Sequence, residues 1–170
     1  MDEKVYSLLN EQIQKELYSA YLYLDFSGYY EDEGLAGFAN WFYVQAQEEM
    51  DHAMLMRTYL LNNDQKVKLL PVDAPKGGYK SFAEPLDESL AHEKYVTASI
   101  SAIYDAALQA KDFRAVEFLN WFIKEQGEEE KNASDLIERF ALFGSDAKGL
   151  YSLDQELATR VYAAPTLVLE

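Results

Sequence analysis

Two residues of the segment AQEEMDHAM, residues 46–54, have the chemistry of metal ligands. Glu49 and His52 lie on the apolar side of what is otherwise the pattern of a packed helix. Their i, i+3 spacing brings both side chains to one helical face. Carboxylate oxygen and imidazole nitrogen together bind first-row divalent metals. The pair therefore indicates a metal site inside a helical protein.

The other long helical segments each place one acid on an inward stripe. These acids are Glu16, Glu93 and Glu129, and the stripes contain no Lys or Arg to neutralise them. Burying an unpaired carboxylate costs on the order of several kcal/mol. A single buried acid is more often a core residue with a hydrogen-bond partner. Four acids on four helices instead favour a shared cluster of divalent metals.

The spacing of these residues repeats in the two halves of the chain. The first acid of each half precedes a pair at i, i+3 by 33 residues (49 − 16 and 126 − 93) and by 36 residues (52 − 16 and 129 − 93). This repeat predicts a pseudo-twofold arrangement with two metals at its centre. The second half has Gln126 and Glu129 where the first has Glu49 and His52. We therefore expect the second metal to bind more weakly.

The elements that position these residues follow from the sparse, clustered Gly and Pro residues. Four long segments without strong breakers predict helices over 3–31, 35–62, 86–111 and 113–143, with a shorter helix over 146–160. Turns at Glu33-Gly34 and near Asp112 join them as two antiparallel hairpins.

The connection over 63–85 is rich in Pro and Gly, which favours an extended loop long enough to cross a bundle. The predicted fold is all-α: an antiparallel four-helix bundle with one long crossover and a short fifth C-terminal helix. Residues 1–145 form the bundle, and residues 146–170 form the fifth helix and tail of the same domain.

Composition narrows the partners. The formal net charge of −15 disfavours nucleic acid and anionic membrane surfaces, and no apolar run reaches the length of a membrane span. The absence of cysteine excludes thiolate metal sites. The N-terminus lacks the basic region of a signal peptide, so we expect a cytoplasmic protein.

The types of the candidate ligands limit the choice of metal. Oxygen and imidazole ligands suit Fe(II), Mn(II) or Zn(II) and argue against copper. Iron is favoured on redox grounds.

Several segments resemble prokaryotic non-haem ferritins across nearly the whole chain. They are LNEQIQKELYSAYLYL, AQEEMDHA, AHEKYVT, FLNWFIKEQGEEEK and GLYSLDQEL. The resemblance implies iron storage and detoxification by a ferroxidase, which oxidises Fe(II) to Fe(III) with O₂ or H₂O₂. It also implies a homo-oligomeric shell of 24 subunits in which the ferric product is mineralised.

The resemblance also implies roles for individual residues. The first iron would bind to Glu16, Glu49 and His52, and the second to Glu49, Glu93 and Glu129 with Gln126 nearby. A third iron site would comprise Glu48, Glu125, Glu128 and Glu129, although the same acids also fit a solvated acidic face. Tyr23 matches the redox-active tyrosine of the family, with Trp121 as its candidate neighbour, although both also fit as core aromatics.

The sequence also gives expectations for Met50, His92 and the C-terminal tail. Met50 occupies the position of a haem-ligating Met in bacterioferritins, but Met on a helix is more often a packing residue, so haem is not expected. His92 has no assigned role and is expected at the surface. The apolar tail VYAAPTLVLE differs from known ferritins, and the sequence leaves open whether it packs at a channel or is disordered.

Other classes fit the sequence less well. A rubrerythrin requires a cysteine-rich iron domain, and this sequence has no cysteine. A DNA-coating mini-ferritin usually has a basic tail and a site shared between subunits, and the sequence indicates neither feature. A metal-free interaction protein leaves the inward acids and the repeated spacing unexplained. A di-iron oxygenase requires room for an organic substrate, which the aromatic-filled stripes do not offer.

Overall fold

The computed structural model describes residues 1–169, and within this range the chain forms helices without strands. The helices are α1 (Glu3–Asp32), α2 (Ala36–Asn62), α3 (Glu84–Gln109), α4 (Phe113–Phe143) and α5 (Ala147–Leu157). The predicted all-α bundle with a fifth short helix is confirmed. None of the described helices is long and apolar enough to cross a membrane.

The four long helices match their predicted bounds to within two residues. Helix α3 begins at Glu84, two residues before its expected start, because Pro85 is tolerated in a first helical turn. Helix α5 ends at Leu157 instead of residue 160. There the chain turns toward α2, where Asn40 Nδ2 donates to the carbonyl oxygens of Leu157 (3.2 Å) and Arg160 (3.0 Å).

Three helices begin at an aspartate that accepts hydrogen bonds from the first turn. Asp2 caps α1, Asp112 caps α4 and Asp146 caps α5. Helix α2 has no such cap of its own. Instead, Asp154 Oδ1 on α5 accepts from the backbone N–H groups of Gly37 (2.7 Å) and Phe38 (3.1 Å). The fifth helix therefore completes the start of the second.

Gly37 makes this contact sterically feasible. A Cβ atom at this position would lie 1.7 Å from the carbonyl oxygen of Asp154, so any other residue would force α5 away. The glycine thus has a packing reason that outweighs its intrinsic cost in a helix.

The crossover between α2 and α3 runs the length of α1. Asn10 exchanges hydrogen bonds with the backbone of Lys68 near one end, at 2.9 and 2.8 Å. Tyr30 donates to the carbonyl of Phe82 at the other end, at 2.5 Å. The connection therefore spans the bundle, as the length and composition of the segment predict, and the hairpins α1–α2 and α3–α4 lie antiparallel within it.

Two apolar clusters fill the bundle. One contains Val5, Leu9, Ile13, Met56, Ile100, Leu119 and Phe122 among others. The other contains Leu22, Phe26, Tyr30, Phe38, Phe42 and Leu136 among others. On every long helix the inward acid falls between the residues of these two clusters, so the polar centre of the protein has apolar packing at both ends.

Candidate metal centre

Helices α1 and α2 bring three potential ligands together in the interior. Glu16, Glu49 and His52 are 1%, 1% and 2% exposed, and one ligand atom from each lies within 4.8 Å of the others. Glu16 Oε2, Glu49 Oε1 and His52 Nδ1 have no hydrogen-bond partner. Buried polar atoms are otherwise almost always paired. A cation site requires ligand atoms that are free of other partners. These three residues therefore fit a divalent metal.

The other oxygen of Glu16 is held by a chain of hydrogen bonds. Gln12 Nε2 donates to Glu16 Oε1 at 2.8 Å, and Ser99 Oγ donates to Gln12 Oε1 at 2.7 Å. Lys15 Nζ in turn donates to Ser99 Oγ at 2.6 Å. This chain fixes the orientation of Glu16, as supporting residues do around metal ligands, and leaves its second oxygen without a hydrogen-bond partner.

The corresponding acid of the second half, Glu93, has partners for both oxygens. The hydroxyl of Tyr23 donates to Glu93 Oε1, and Gln126 Nε2 donates to Glu93 Oε2 at 3.1 Å. Tyr23 and Gln126 are themselves buried, with 1% and 2% exposure. Glu93 and Gln126 are therefore adjacent, but among the described residues Glu93 belongs to neither group of ligand atoms close enough to share a metal. A cation at Glu93 must compete with two hydrogen-bond donors.

Glu129 has one engaged oxygen and a different neighbour set. Gln45 Nε2 donates to Glu129 Oε2 at 2.8 Å. One ligand atom each from His52, Glu125 and Glu129 also lies within 4.8 Å of the others, which forms a second potential metal group. His52 belongs to both groups, so it connects the interior centre to the acids on the surface of α4.

The four inward carboxyl groups have raised pKa values. Burial is the largest cause for each. For Glu49 the negative charges of Glu93, Glu16 and Glu129 raise the pKa further. Burial and the charge of Glu93 raise the pKa of Glu129 to about 8. Without a cation the centre therefore retains protons, which divalent metals displace on binding.

Acids on the facing surfaces of α2 and α4 line a cavity of about 230 Å³ next to His52. We term these acids the α2–α4 acidic cluster: Glu48, Asp51, Glu125 and Glu128. Glu48 forms an ion pair with Arg160 Nη2 at 2.6 Å. Glu128 is exposed and lies 3.8 Å from Lys124 Nζ. Of the acids predicted for a third iron site, Glu125 and Glu129 have ligand atoms within 4.8 Å of each other and of His52. Glu48 and Glu128 each face a basic side chain instead.

Two expectations for residues near the centre need correction. Trp121 packs edge-on against His52, at 5.6 Å between ring centroids, and against Phe122, instead of against Tyr23. His92 is half-buried, not a surface residue: its Nε2 lies 2.7 Å from Ser19 Oγ, and burial lowers its pKa to about 4. Its ring also lies edge-on to Tyr23. Packing of α3 on α1 therefore partly covers the His92 side chain.

Met50 is exposed and lines a shallow groove on α1 and α2 with Leu24, Tyr43 and Tyr162. The C-terminal tail is extended along its own bundle. Leu167 and Leu169 pack against the apolar core, and Trp121 Nε1 donates to Thr166 Oγ1 at 2.9 Å. The sequence left open whether this tail packs at a channel or is disordered. Its described residues, up to 169, contact α2 and α4 of their own bundle, and packing at a channel stays a prediction.

A ferritin-like domain family matches residues 6–143. The chain belongs to the ferritin family. It is 36% identical to a probable bacterial non-heme ferritin-like protein of Haemophilus influenzae, over 92% of this chain and 95% of that protein. It is also 36% identical to the bacterial non-heme ferritin of Campylobacter jejuni, over 91% and 93% of the two chains.

Among solved structures, an open pore ferritin from the hyperthermophilic archaeon Archaeoglobus fulgidus superposes with a TM-score of 0.93 at 41% identity. The match covers 95% of this ferritin and 99% of the archaeal chain. The resemblance deduced from the sequence motifs is thereby confirmed, and iron storage is the general role of the family.

Three residues of this ferritin centre have roles that the sequence did not reveal. Gln12 and Gln45 each stand four residues before an inward glutamate, at 16 and 49. This spacing is a usable signal for Gln12, which bonds Glu16, but not for Gln45, which bonds Glu129 on another helix. Arg160 lies in a segment predicted as the end of a helix, and no local pattern indicates its pairing with Glu48.

Proposed function

We propose that this ferritin is a ferroxidase that takes Fe(II) as its substrate at the centre formed by Glu16, Glu49 and His52. The observation that carries the proposal is that Glu16, Glu49 and His52 bring one ligand atom each within 4.8 Å of the others in the interior. Each of the three also has a buried ligand atom without a hydrogen-bond partner. Glu93 and Glu129, supported by Gln126, would provide the second position, and Glu49 would bridge the two. The third set of Glu48, Glu125, Glu128 and Glu129 would then accept iron leaving the centre.

Two adjacent Fe(II) ions supply two electrons together. These electrons reduce O₂ to H₂O₂, or H₂O₂ to two water molecules, with uptake of two protons in either case. The chain's own contribution is to hold the substrate ions and to exclude bulk water from the centre. Its hard carboxylate oxygens favour the ferric product over the ferrous substrate. Gln12 and Gln45 fix the ligand orientations, and Tyr23 stays protonated because burial raises its pKa.

Storage requires an assembly, and one surface of the bundle supports it. Leu24, Tyr43 and Met50 are 45%, 52% and 44% exposed and share one groove on α1 and α2. Exposed apolar patches of this kind mark protein interfaces. We propose that this surface contributes to a homo-oligomeric shell of 24 subunits, in which ferric iron is mineralised.

Stopped-flow absorbance after aerobic mixing with about two Fe(II) per chain tests the activity. We expect a rapid ferric signal, and size-exclusion chromatography of the same sample should give a particle far larger than one chain. A rapid signal on a small oligomer would contradict the shell and retain the ferroxidase. The absence of a rapid signal would contradict the ferroxidase itself.

A further inference from the structure

The last described residues of the chain cross the surface of α2 and α4 above the acidic cluster. We term residues 161–169 the C-terminal strap. Ala163, Ala164, Pro165 and Thr166 line the same cavity of about 230 Å³ as His52 and the acids. The strap is therefore one wall of the space between the surface and the candidate centre.

Side-chain contacts hold the strap on both helices. Tyr162 donates to Asp51 Oδ2 on α2 at 2.5 Å, and Thr166 Oγ1 accepts from Trp121 on α4 at 2.9 Å. Leu167 and Leu169 pack against the apolar core. A terminal segment with polar contacts to two helices and an apolar anchor is far more restrained than most chain ends.

Arg160, at the base of the strap, places a positive charge among these acids. Its Nη2 lies 2.6 Å from Glu48 Oε2, its Nη1 donates to the carbonyl of Trp41 at 3.3 Å, and its guanidinium stacks on the Trp41 ring at 4.1 Å. The Arg160 side chain is 16% exposed and that of Glu48 is 21% exposed. A partly buried, charge-assisted pair with stacking is more persistent than an exposed one.

We propose that Arg160 and the strap control cation binding at the α2–α4 acidic cluster. The guanidinium of Arg160 pairs with the Glu48 carboxylate where a bound cation would otherwise lie. The strap covers the route from this cluster to His52. A divalent ion gains Glu48 as a ligand only by displacing Arg160, which loosens the strap. The inference rests on the proposed function, since it assumes that cations move between the cluster and the interior centre.

Zinc titration by isothermal calorimetry tests this control without any redox step. In the wild type we expect tight binding at the interior centre and weak binding at the cluster. Arg160→Gln removes the competing charge, so the Kd of the weak class should fall about tenfold. The double variant Arg160→Gln with Glu48→Gln should lose that gain, because the released ligand is then absent.

Arg139→Gln is the matched control. Arg139 forms an ion pair with Glu156 between α4 and α5, away from the cluster, so its loss changes the net charge by the same amount. We expect wild-type zinc binding for this variant. An equal gain in both single variants, or no gain in Arg160→Gln, would overturn the proposal.

Hydrogen exchange followed by mass spectrometry reports on the strap directly. Peptides from residues 161–169 should exchange faster in Arg160→Gln than in Arg139→Gln, and faster in the wild type once zinc saturates the weak class. Unchanged exchange under both conditions would show that the strap does not respond to the cluster. If the wild type shows no tight zinc binding at the interior centre, that result would instead contradict the proposed function.

Discussion

The two helical hairpins place the same pattern of side chains around one centre but leave it in different states. In α1–α2, Glu16, Glu49 and His52 each have a buried ligand atom without a hydrogen-bond partner, and His52 Nδ1 lies 3.4 Å from Glu49 Oε2. In α3–α4, Glu93 has both oxygens engaged, and Glu129 accepts from Gln45. The first half therefore has ligand atoms available to a cation, whereas in the second half a cation that binds Glu93 must displace a hydrogen-bond donor.

This difference predicts the order in which the proposed centre would bind two ions. An unpaired buried acceptor costs free energy, and a cation relieves that cost directly. A buried acceptor that already has a donor gives up that hydrogen bond when a cation binds. We therefore expect the first ion to bind to the α1–α2 half, and the asymmetry predicted from Gln126 and Glu129 extends to the hydrogen bonding around them.

Changes at the equivalent positions 49 and 126 should have the most unequal effects. Glu49→Gln keeps the shape of the side chain but removes a charged ligand next to both ion positions, so the initial rate of Fe(II) oxidation should fall at least about 100-fold. Gln126→Leu removes only a supporting donor and should cost no more than about tenfold. Stopped-flow absorbance measures both rates, and circular dichroism verifies the fold.

Glu128→Gln is the charge-matched control for Glu49→Gln, since Glu128 is exposed and lies outside the interior centre. Its initial rate should stay within about twofold of the wild type, because exposed charges act weakly through solvent. Equal losses at positions 49 and 126 would show that the two halves are functionally alike.

The metal-free protein should lose stability as the pH rises. Burial raises the pKa of Glu129 in the folded chain to about 8 from its ordinary value of 4.5, so between these pH values the folded chain binds a proton that the unfolded chain has released. The other three inward acids shift in the same direction. The free energy of unfolding therefore decreases as the pH rises through this window.

Urea unfolding in the presence of EDTA, at intervals between about pH 5 and pH 8, measures this slope. Zinc should flatten it, because the bound cation replaces the protons and stabilises the folded state. Glu129→Gln should reduce the slope without zinc. A metal-free protein that becomes more stable toward pH 8 would contradict the raised pKa values.

Removal of the hydrogen bond from Tyr23 to Glu93 should have the smallest effect, a modest change in zinc affinity. Tyr23→Phe removes the hydroxyl that engages Glu93 Oε1, so the second zinc ion should bind about threefold more tightly, in line with the modest net value of one hydrogen bond. Tyr59→Phe is the control, because the buried Tyr59 hydroxyl has no partner. Weaker second binding in Tyr23→Phe would show that the hydroxyl positions Glu93 and does not compete with the cation.

The fold was largely predictable because its signals are local. Helix periodicity, three aspartate caps and the Pro- and Gly-rich crossover each lie within a few residues of the element that they define. The inward acids were predictable for the same reason, since a charged residue on an apolar stripe is visible in one helix. The start of α3 at Glu84 depended on Pro85 in its first turn. The end of α5 at Leu157 depended on a contact with Asn40 of α2.

The hydrogen-bond partners within the site were not predictable in this way. Tyr23 and Glu93 are 70 residues apart, Gln45 and Glu129 are 84 apart, and Arg160 and Glu48 are 112 apart. Each contact depends on the relative rotation and height of two packed helices, which single-helix periodicity does not specify. The partial burial of His92 on α3 follows from packing against α1 in the same way.

The sequence by itself determined the helices, the repeated ligand pattern and membership of the ferritin family. These properties are encoded in residue type and spacing along one chain segment at a time. Only the tertiary structure decided which ligand atoms remain free, which are engaged by donors, and that Arg160 and the tail cover the acidic cluster. The reason is physical: the availability of a buried polar atom depends on every group that packs around it, and those groups come from distant parts of the chain.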